Sequence, residues 1–307
     1  MTKILITGAC GFIGSHLAEL CVKNEIEVVA FDRYNPNNSW GWLESLDCQD
    51  EMEVILGDVR DYDSVSKAMK GCTAVFHLAA LIGIPYSYVS PLAYIRTNVE
   101  GTYNVLEAAK NLNLEQIIIT STSETYGTAQ YTPIDEKHPL VGQSPYAASK
   151  IAADQLAISY SRSFNLPVKI VRPFNTYGPR QSSRAVIPTI ISQLLNNSKE
   201  IKLGNLGPTR DLTFVKDTCA AFLEIYGHEG FLGEVTNIGI NSEISIGQLA
   251  IEIKSIMEID IPIVNDKKRI RPVNSEVDRL VCNNKKLLSS TTWGPRYNLR
   301  SGLSETI

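Results

Sequence analysis

The sequence predicts an α/β fold: a doubly wound parallel sheet with a smaller α/β lobe interleaved at its C-terminal end. Three observations carry this. Short β-rich apolar runs alternate with helical stretches over the first 170 residues. A glycine-rich turn follows directly on the first of these runs. Past Pro173 the segments shorten and Pro and Gly crowd into loops. Strands separated by helices need crossover connections, and so a parallel sheet covered on both faces.

Each element has a local reason. Lys3–Ile6 is apolar and bounded by Gly8, Val28–Phe31 ends at Asp32, and Val54–Leu56 ends at Gly57-Asp58. Ala74–Leu78, Gln116–Thr120 and Val168–Val171 complete six predicted strands. Continuous apolar runs of this length, closed by turn residues, are what a sheet buried on both faces needs. Between them, Ser15–Lys23, Asp63–Met69, Pro91–Leu112 and Tyr146–Phe164 carry helical patterns. Further on, Gly178-Pro179-Arg180, Gly204–Pro208, Gly227–Gly233 and Arg271-Pro272 punctuate the chain. No linker-like tract intervenes, so the expected division is residues 1–172 and a lobe of residues 173–307 that partly returns to the sheet. The final stretch, Gly302–Ile307, reads as the start of a helix.

Composition narrows the function classes. The chain has 307 residues, 44% hydrophobic and 20% charged, with a net charge of −4. Those values fit a globular protein and exclude disorder and coiled coil as readings. No run of basic residues is long enough to make a nucleic-acid or anionic-membrane surface. The longest apolar runs fall far short of the ~20 residues a membrane span needs. The N-terminus enters a strand pattern at once, which leaves no room for a signal peptide. Six cysteines lie scattered without a C-x-x-C pair, and four histidines lie without metal-ligand spacing. Reduced thiols in a cytoplasmic protein without a metal site are therefore expected.

Gly8, Gly11 and Gly14 follow the first strand at G-x-x-G-x-x-G spacing, with Phe12 and Ile13 between the last two. Glycines allow a tight turn and a close approach to a pyrophosphate, whose charge then faces a helix N-terminus. A glycine-rich turn can also end a strand for structural reasons alone. Here an acid follows at Asp32, at the end of the second strand, where it can accept hydrogen bonds from an adenosine ribose. Its charge would repel a 2′-phosphate, which predicts NAD, while Arg33 beside it works the other way. Gly57-Asp58-Val59 and Leu78-Ala79-Ala80 end later strands and are candidates to border the adenine and the cofactor.

Tyr146 and Lys150 lie four residues apart, hence on one helix face, just after Ser144-Pro145, a predicted helix start. A free tyrosine ionises near ~10 and is a poor base at neutral pH. A lysine and a cationic nicotinamide nearby would each stabilise the phenolate and make it a usable base. At the end of the fifth strand stands Thr120-Ser-Thr122-Ser123-Glu124, four hydroxyls and one carboxylate. Strand C-termini in such sheets face the ligand crevice, which makes Glu124 the best-placed acid in the chain for proton transfer.

Together these residues resemble the extended short-chain dehydrogenase/reductase family. The likeness runs over essentially the whole chain, through Gly8–Gly14, Tyr146/Lys150, Arg172-Pro-Phe-Asn175, Arg210-Asp211 and Arg271-Pro272. Asn38-Ser-Trp-Gly-Trp42, Thr122-Ser-Glu124-Thr-Tyr-Gly-Thr128, Gln143-Ser-Pro-Tyr146 and Arg184-Ala-Val-Ile-Pro188 narrow it to nucleotide-sugar 4,6-dehydratases. Among these it is most similar to NAD-dependent UDP-N-acetylglucosamine dehydratases of legionaminic-type sugar pathways.

The resemblance implies a Rossmann-like domain, a bound NAD and a redox-neutral cycle. Tyr146 would take the sugar O4 proton while C4 is oxidised, with Lys150 and Thr122 assisting. Glu124 would then remove the C5 proton as the C6 hydroxyl leaves, and the hydride would return to C6. Many relatives carry Asp where Ser123 stands, as the acid for the leaving hydroxyl. Here Glu124 would remove and return the proton itself, or Ser123 would orient it. The resemblance adds Asn98 and Pro173 to the cofactor contacts. It assigns the UDP-sugar to Asn175, Arg184, Val186, Ile187, Arg210, Arg271 and Glu276. Arginine forks suit a diphosphate. It further implies a homodimer, built on helices Pro91–Leu112 and Tyr146–Phe164.

Three other readings compete. A UDP-hexose 4-epimerase shares Tyr, Lys, Thr and NAD but needs no base at C5. Ser123 leaves room for a C5-epimerase or a 5,6-ene reductase. A catalytically silent NAD binder would be expected to have lost Tyr146 or Lys150, and both are present.

Overall fold

Seven parallel strands make the central sheet of the computed structural model, which describes residues 2–270 and 272–307. Six are β1 (Lys3–Thr7), β2 (Glu27–Arg33), β3 (Met52–Gly57), β4 (Ala74–His77), β5 (Gln116–Thr120) and β6 (Val168–Pro173). The seventh, Val235–Ile238, comes from the C-terminal part and pairs with β6. The order is Val235–Ile238, β6, β5, β4, β1, β2, β3. Chain direction across the sheet therefore reverses between β1 and β4, and the crevice outside their C-terminal ends is the default ligand site of such a sheet.

All six predicted strands form: β1, β2, β3 and β6 run one to three residues longer than the apolar run, β5 matches it, and β4 stops one residue short, at His77. Side chains alternate between two cores, as the strand repeat of two demands. Ile4, Ile6, Val28, Ala30 and Phe76 pack on α1 (Phe12–Lys23) and on Phe222 and Ile225 of a later helix. Leu5, Val29, Phe31, Val75 and Ile117 face α2 (Tyr62–Met69) and the helices that follow.

The remaining first-half helices are α3 (Ile84–Val89), α4 (Pro91–Tyr94), α5 (Gly101–Asn111) and α6 (Pro145–Phe164). The predicted Pro91–Leu112 helix is α4 and α5 joined by a wider π turn at Ile95–Glu100. α1 starts at Phe12, three residues before the predicted Ser15, because Gly11 already serves as its N-cap. α6 starts where Ser144-Pro145 predicted: Ser144 Oγ accepts from the Ala147 N–H at 3.1 Å, and Pro145 takes the first helical position.

The C-terminal lobe is interleaved with the sheet. Its helix α7 (Val186–Leu195) belongs to the lobe, whereas α8 (Val215–Gly227) packs on α1 against the central sheet. Three small sheets frame the rest, pairing Asn175–Tyr177 with Leu212–Phe214, Ile201–Leu203 with Ile263–Asn265, and Thr209–Arg210 with Ile244–Ser245 and Arg279–Leu280. The last helix runs from Leu299 to Thr306. Among the described residues, all six cysteines are free thiols, no cluster of His, Cys, Asp or Glu could hold a metal, and no helix is long and apolar enough to cross a membrane.

Candidate active site

The glycine turn is built as its spacing requires. Gly8 has φ +75°, and a Cβ there would come within 2.9 Å of the Ala79 nitrogen. A Cβ on Gly14 would lie 2.1 Å from the Gly8 carbonyl oxygen. Neither position tolerates a side chain, because the obstacle in each case is backbone. The N–H groups of Phe12 and Ile13, in the first turn of α1, have no acceptor within the helix and leave a positive end facing the crevice.

Asp32 is pinned beside this turn. Its Oδ2 accepts from the Cys10 N–H at 2.8 Å and its Oδ1 from the Arg33 N–H at 2.7 Å. Each oxygen keeps a lone pair for a ribose hydroxyl. Arg33 is exposed. Asp58 turns its carboxylate onto Arg60, which bonds it through Nε at 2.9 Å. Val59 is buried, its carbonyl held by Asn104 Nδ2 at 2.9 Å. Leu78 and Ala79 are fixed to Thr7: the Leu78 N–H donates to its carbonyl at 3.1 Å and the Ala79 N–H to its Oγ1 at 3.1 Å. Ala80 is half-buried in the same loop. Asn98 spends its amide on the protein, donating to the Leu81 carbonyl and Ser149 Oγ and accepting from the Leu81 N–H. Its bearing on the crevice is through that loop and α6.

The cradle, the helix end and the carboxylate therefore fit a dinucleotide.

Tyr146 is buried near the start of α6, and its hydroxyl is hydrogen-bonded to Thr122 at the end of β5. Burial raises its pKa above the ordinary tyrosine value; the Thr122 bond opposes that, while the Glu124 and Asp154 charges add to it. Lys150, one turn on, donates to the Thr120 carbonyl at 2.6 Å. Its pKa is lowered by burial, against the charge of Asp154. The phenol thus takes its hydrogen bond from Thr122, and the expected ammonium sits behind it on the strand end. Thr122 also caps the turn Ser123–Tyr126, accepting from the Glu124 N–H at 3.3 Å. Ser123 and Glu124 are both buried there.

Tyr94 of α4 packs edge-on against Tyr146, ring centroids 6.2 Å apart, and its hydroxyl donates to the Gly83 carbonyl at 2.5 Å. Arg184 is exposed, and its charge works against the burial that raises the pKa of Tyr94. Asn175 has a buried Oδ1 with no hydrogen-bond partner, an acceptor aimed at no group of the protein. Arg210 is 7% exposed and lies 3.7 Å from Glu276 Oε1. Pro173 closes β6 beside Ile238. Ile187, expected at the nucleotide sugar, is 1% exposed and packs in the core at the start of α7. Val186 is half-buried beside it. Arg271 lies outside the described residues.

Two buried features escaped the sequence. Ser121, Asp154 and Arg172 form a closed polar triangle behind Tyr146 and Lys150. The only available signal was the four-residue step from Lys150 to Asp154 along one helix face. His77 bridges Thr7 Oγ1 at 2.8 Å and Thr102 Oγ1 at 3.1 Å, and burial pushes its pKa down to about 3.

The comparisons with known proteins agree with this geometry. A family profile described as GDP-mannose 4,6 dehydratase matches residues 5–306. The chain is 31% identical to a putative UDP-glucose 4-epimerase of Methanocaldococcus jannaschii, over 99% of this chain and 97% of the relative. It is 32% identical to human dTDP-D-glucose 4,6-dehydratase, over 99% and 89%. It superposes on a crystal structure of dTDP-glucose 4,6-dehydratase from Streptomyces venezuelae with NAD and TYD bound, at a TM-score of 0.89 and 27% identity, covering 99% of this chain and 95% of that one. With a matching profile over nearly its full length, a seven-stranded sheet and a Tyr/Lys helix behind a glycine turn, this chain belongs to the nucleotide-sugar 4,6-dehydratase family of extended short-chain dehydrogenases/reductases.

Proposed function

We propose that the chain converts UDP-N-acetylglucosamine to a UDP-4-keto-6-deoxy sugar, as a 4,6-dehydratase. NAD is the cofactor; when bound it would supply a hydride acceptor for C4 and give the same hydride back to C6, with C5 taking a proton from solvent. Gly8, Gly11, Gly14 and the first N–H groups of α1 hold its pyrophosphate, and Asp32 its ribose. Residues 1–172 carry these contacts, and residues 173–307 mainly the nucleotide sugar.

Tyr146 takes the proton from the sugar O4. Thr122, already bonded to the phenol, keeps its oxygen aimed at that hydroxyl. Lys150 supplies the positive charge that favours the phenolate. Once C4 is a ketone the C5 proton is acidic, and Glu124 removes it as the C6 hydroxyl departs. Ser123 is too weak an acid to protonate that hydroxyl unaided, so Glu124 passes on the proton it has taken while Ser123 orients it. Asn175, Arg184, Arg210, Arg271 and Glu276 bind the nucleotide diphosphate and base, with Val186 and Ile187 alongside.

One arrangement supports the reading: Glu124 is buried in the turn that Thr122 caps, its N–H donating to Thr122 Oγ1 at 3.3 Å, and its charge helps raise the pKa of the buried Tyr146, so a carboxylate and a phenol both stand by the end of β5. An epimerase needs only the phenol. The 4-epimerase reading keeps the support of relatives so described, among them the Methanocaldococcus jannaschii protein and the solved structures of a Bacillus cereus UDP-glucuronic acid 4-epimerase and a Methanobrevibacter ruminantium UDP-N-acetylglucosamine 4-epimerase. Incubation with UDP-N-acetylglucosamine separates the two: dehydration lowers the product mass by one water, and epimerisation leaves it unchanged.

The reading also takes the protein to be a homodimer. Leu92, Ile95 and Tyr103 are 55%, 53% and 44% exposed along the α4–α5 helical stretch, a surface that a second copy would cover. Six free thiols suit the cytoplasm.

A further inference from the structure

The crevice groups rest on a buried charged triangle that the mechanism above does not use. Asp154 is fully buried on α6. Its Oδ2 accepts from Ser121 Oγ at 2.5 Å and from Arg172 Nη2 at 2.7 Å, and Arg172 Nε donates to Ser121 Oγ at 3.2 Å. Ser121 directly precedes Thr122, and Arg172 lies three residues before Asn175. The triangle therefore joins the three segments that carry the site: the end of β5, α6 and the end of β6. Arg172 is held in turn by the Tyr126 ring, 4.6 Å from its guanidinium carbon.

The second oxygen, Asp154 Oδ1, is buried without any hydrogen-bond partner. A carboxylate serving only as a clamp would be expected to satisfy both oxygens, since an unmatched buried acceptor is costly. Tyr146, Lys150 and Asp154 follow each other at steps of four along α6, so they share one face.

We propose, on the Tyr/Lys reading above, that Asp154 is a positioning residue whose unmatched carboxylate oxygen sets the charge balance of the Tyr146/Lys150 pair, while Ser121 and Arg172 hold it in place. Its charge favours the ammonium of Lys150 and opposes the phenolate of Tyr146, so the pair keeps its proton on lysine and surrenders the phenol's only beside a further positive charge. The other groups around the pair are Glu124 from the turn after β5, Tyr94 from α4 and His77 from β4. Around Arg172 stands Tyr126, with Glu136 beyond it.

The test is an ultraviolet titration of tyrosinate in the NAD-loaded protein, with the Tyr146 component isolated by subtracting Tyr146→Phe. Asp154→Asn alone strands a buried guanidinium, so the main variant is Asp154→Asn/Arg172→Gln, which removes both charges and keeps hydrogen-bonding side chains. The Tyr146 midpoint should fall by about half a pH unit or more, the direction expected when a nearby negative charge is lost. With sugar turnover as a second readout, both limbs of the kcat profile should move to lower pH together. Asp154→Glu, which keeps the charge, should leave midpoint and limbs where they are, and it carries the test if the double variant does not fold: shifted limbs there would overturn the proposal. An unchanged midpoint in a folded double variant would show the triangle to be a neutral clamp and would also overturn it. The titration needs no sugar, so a wild-type protein inert toward UDP-sugars would strike the dehydratase reading and leave this one to the midpoint.

Discussion

Lys150 Nζ donates to the Thr120 carbonyl oxygen at 2.6 Å, two residues before the threonine that bonds Tyr146. The ammonium is thereby fixed to the same strand end that orients the phenol, although it does not touch the phenol itself. On the proposed mechanism its contribution is a field rather than a contact. Lys150→Met should therefore lower kcat by roughly 10²–10⁴-fold with KM little changed. The acid limb of kcat should move to higher pH, because Tyr146 loses a positive neighbour. An unchanged limb would remove lysine from the account.

On the proposed mechanism, Glu124 is the residue that separates dehydration from epimerisation. Glu124→Gln keeps the size and the peptide N–H that bonds Thr122. The variant should retain NAD and UDP-sugar binding yet lose exchange of the C5 proton with deuterated solvent, with kcat reduced by about 100-fold or more. Turnover at the wild-type rate would refute its assigned role.

Asp32 takes two backbone N–H groups and is left with lone pairs for a diol. Asp32→Ala should weaken NAD about tenfold, near the 1.4 kcal/mol expected for a charged hydrogen bond. NADP should lose less, since the same substitution removes repulsion of its 2′-phosphate. Equal losses, measured by calorimetry, would contradict the NAD preference.

His77 makes a stability prediction. Thr102 Oγ1 donates to the Asn98 carbonyl at 2.6 Å, so it must accept from His77 Nε2. The ring is then neutral, with Nδ1 accepting from the Thr7 hydroxyl. Its folded pKa of about 3 lies below the unfolded value of 6.5. Stability from the neutral ring is thus full above 6.5 and is lost as pH falls toward 3. Urea unfolding of the wild type should lose up to about 1.4 kcal/mol per pH unit in that window from this group. His77→Gln should flatten the slope there; an identical slope would mean that the ring is protonated in the folded protein.

Much of this was legible in the sequence because it is local. The β1 turn needs glycine wherever backbone meets backbone, so Gly8 and Gly14 mark it unaided. Ser144-Pro145 announced the start of α6, and the step from Tyr146 to Lys150 announced its active face. What depended on distant pairing was not legible. Nothing in the pattern of Asp154 says that Arg172 lies 2.7 Å away, since sheet order brings them together. That Ile187 packs in the core at the start of α7 was likewise not legible from its neighbours in the string. The π turn at Ile95–Glu100 kept helical periodicity on either side and so left no trace.

The central claim is that Tyr146 and Glu124 together eliminate water from a sugar held at the nicotinamide. Mass spectrometry of the product formed from UDP-N-acetylglucosamine in deuterated water tests it most directly. The account predicts a UDP-sugar that has lost one water and gained one solvent deuterium at C5. A product of unchanged mass, with no deuterium on carbon, would contradict it.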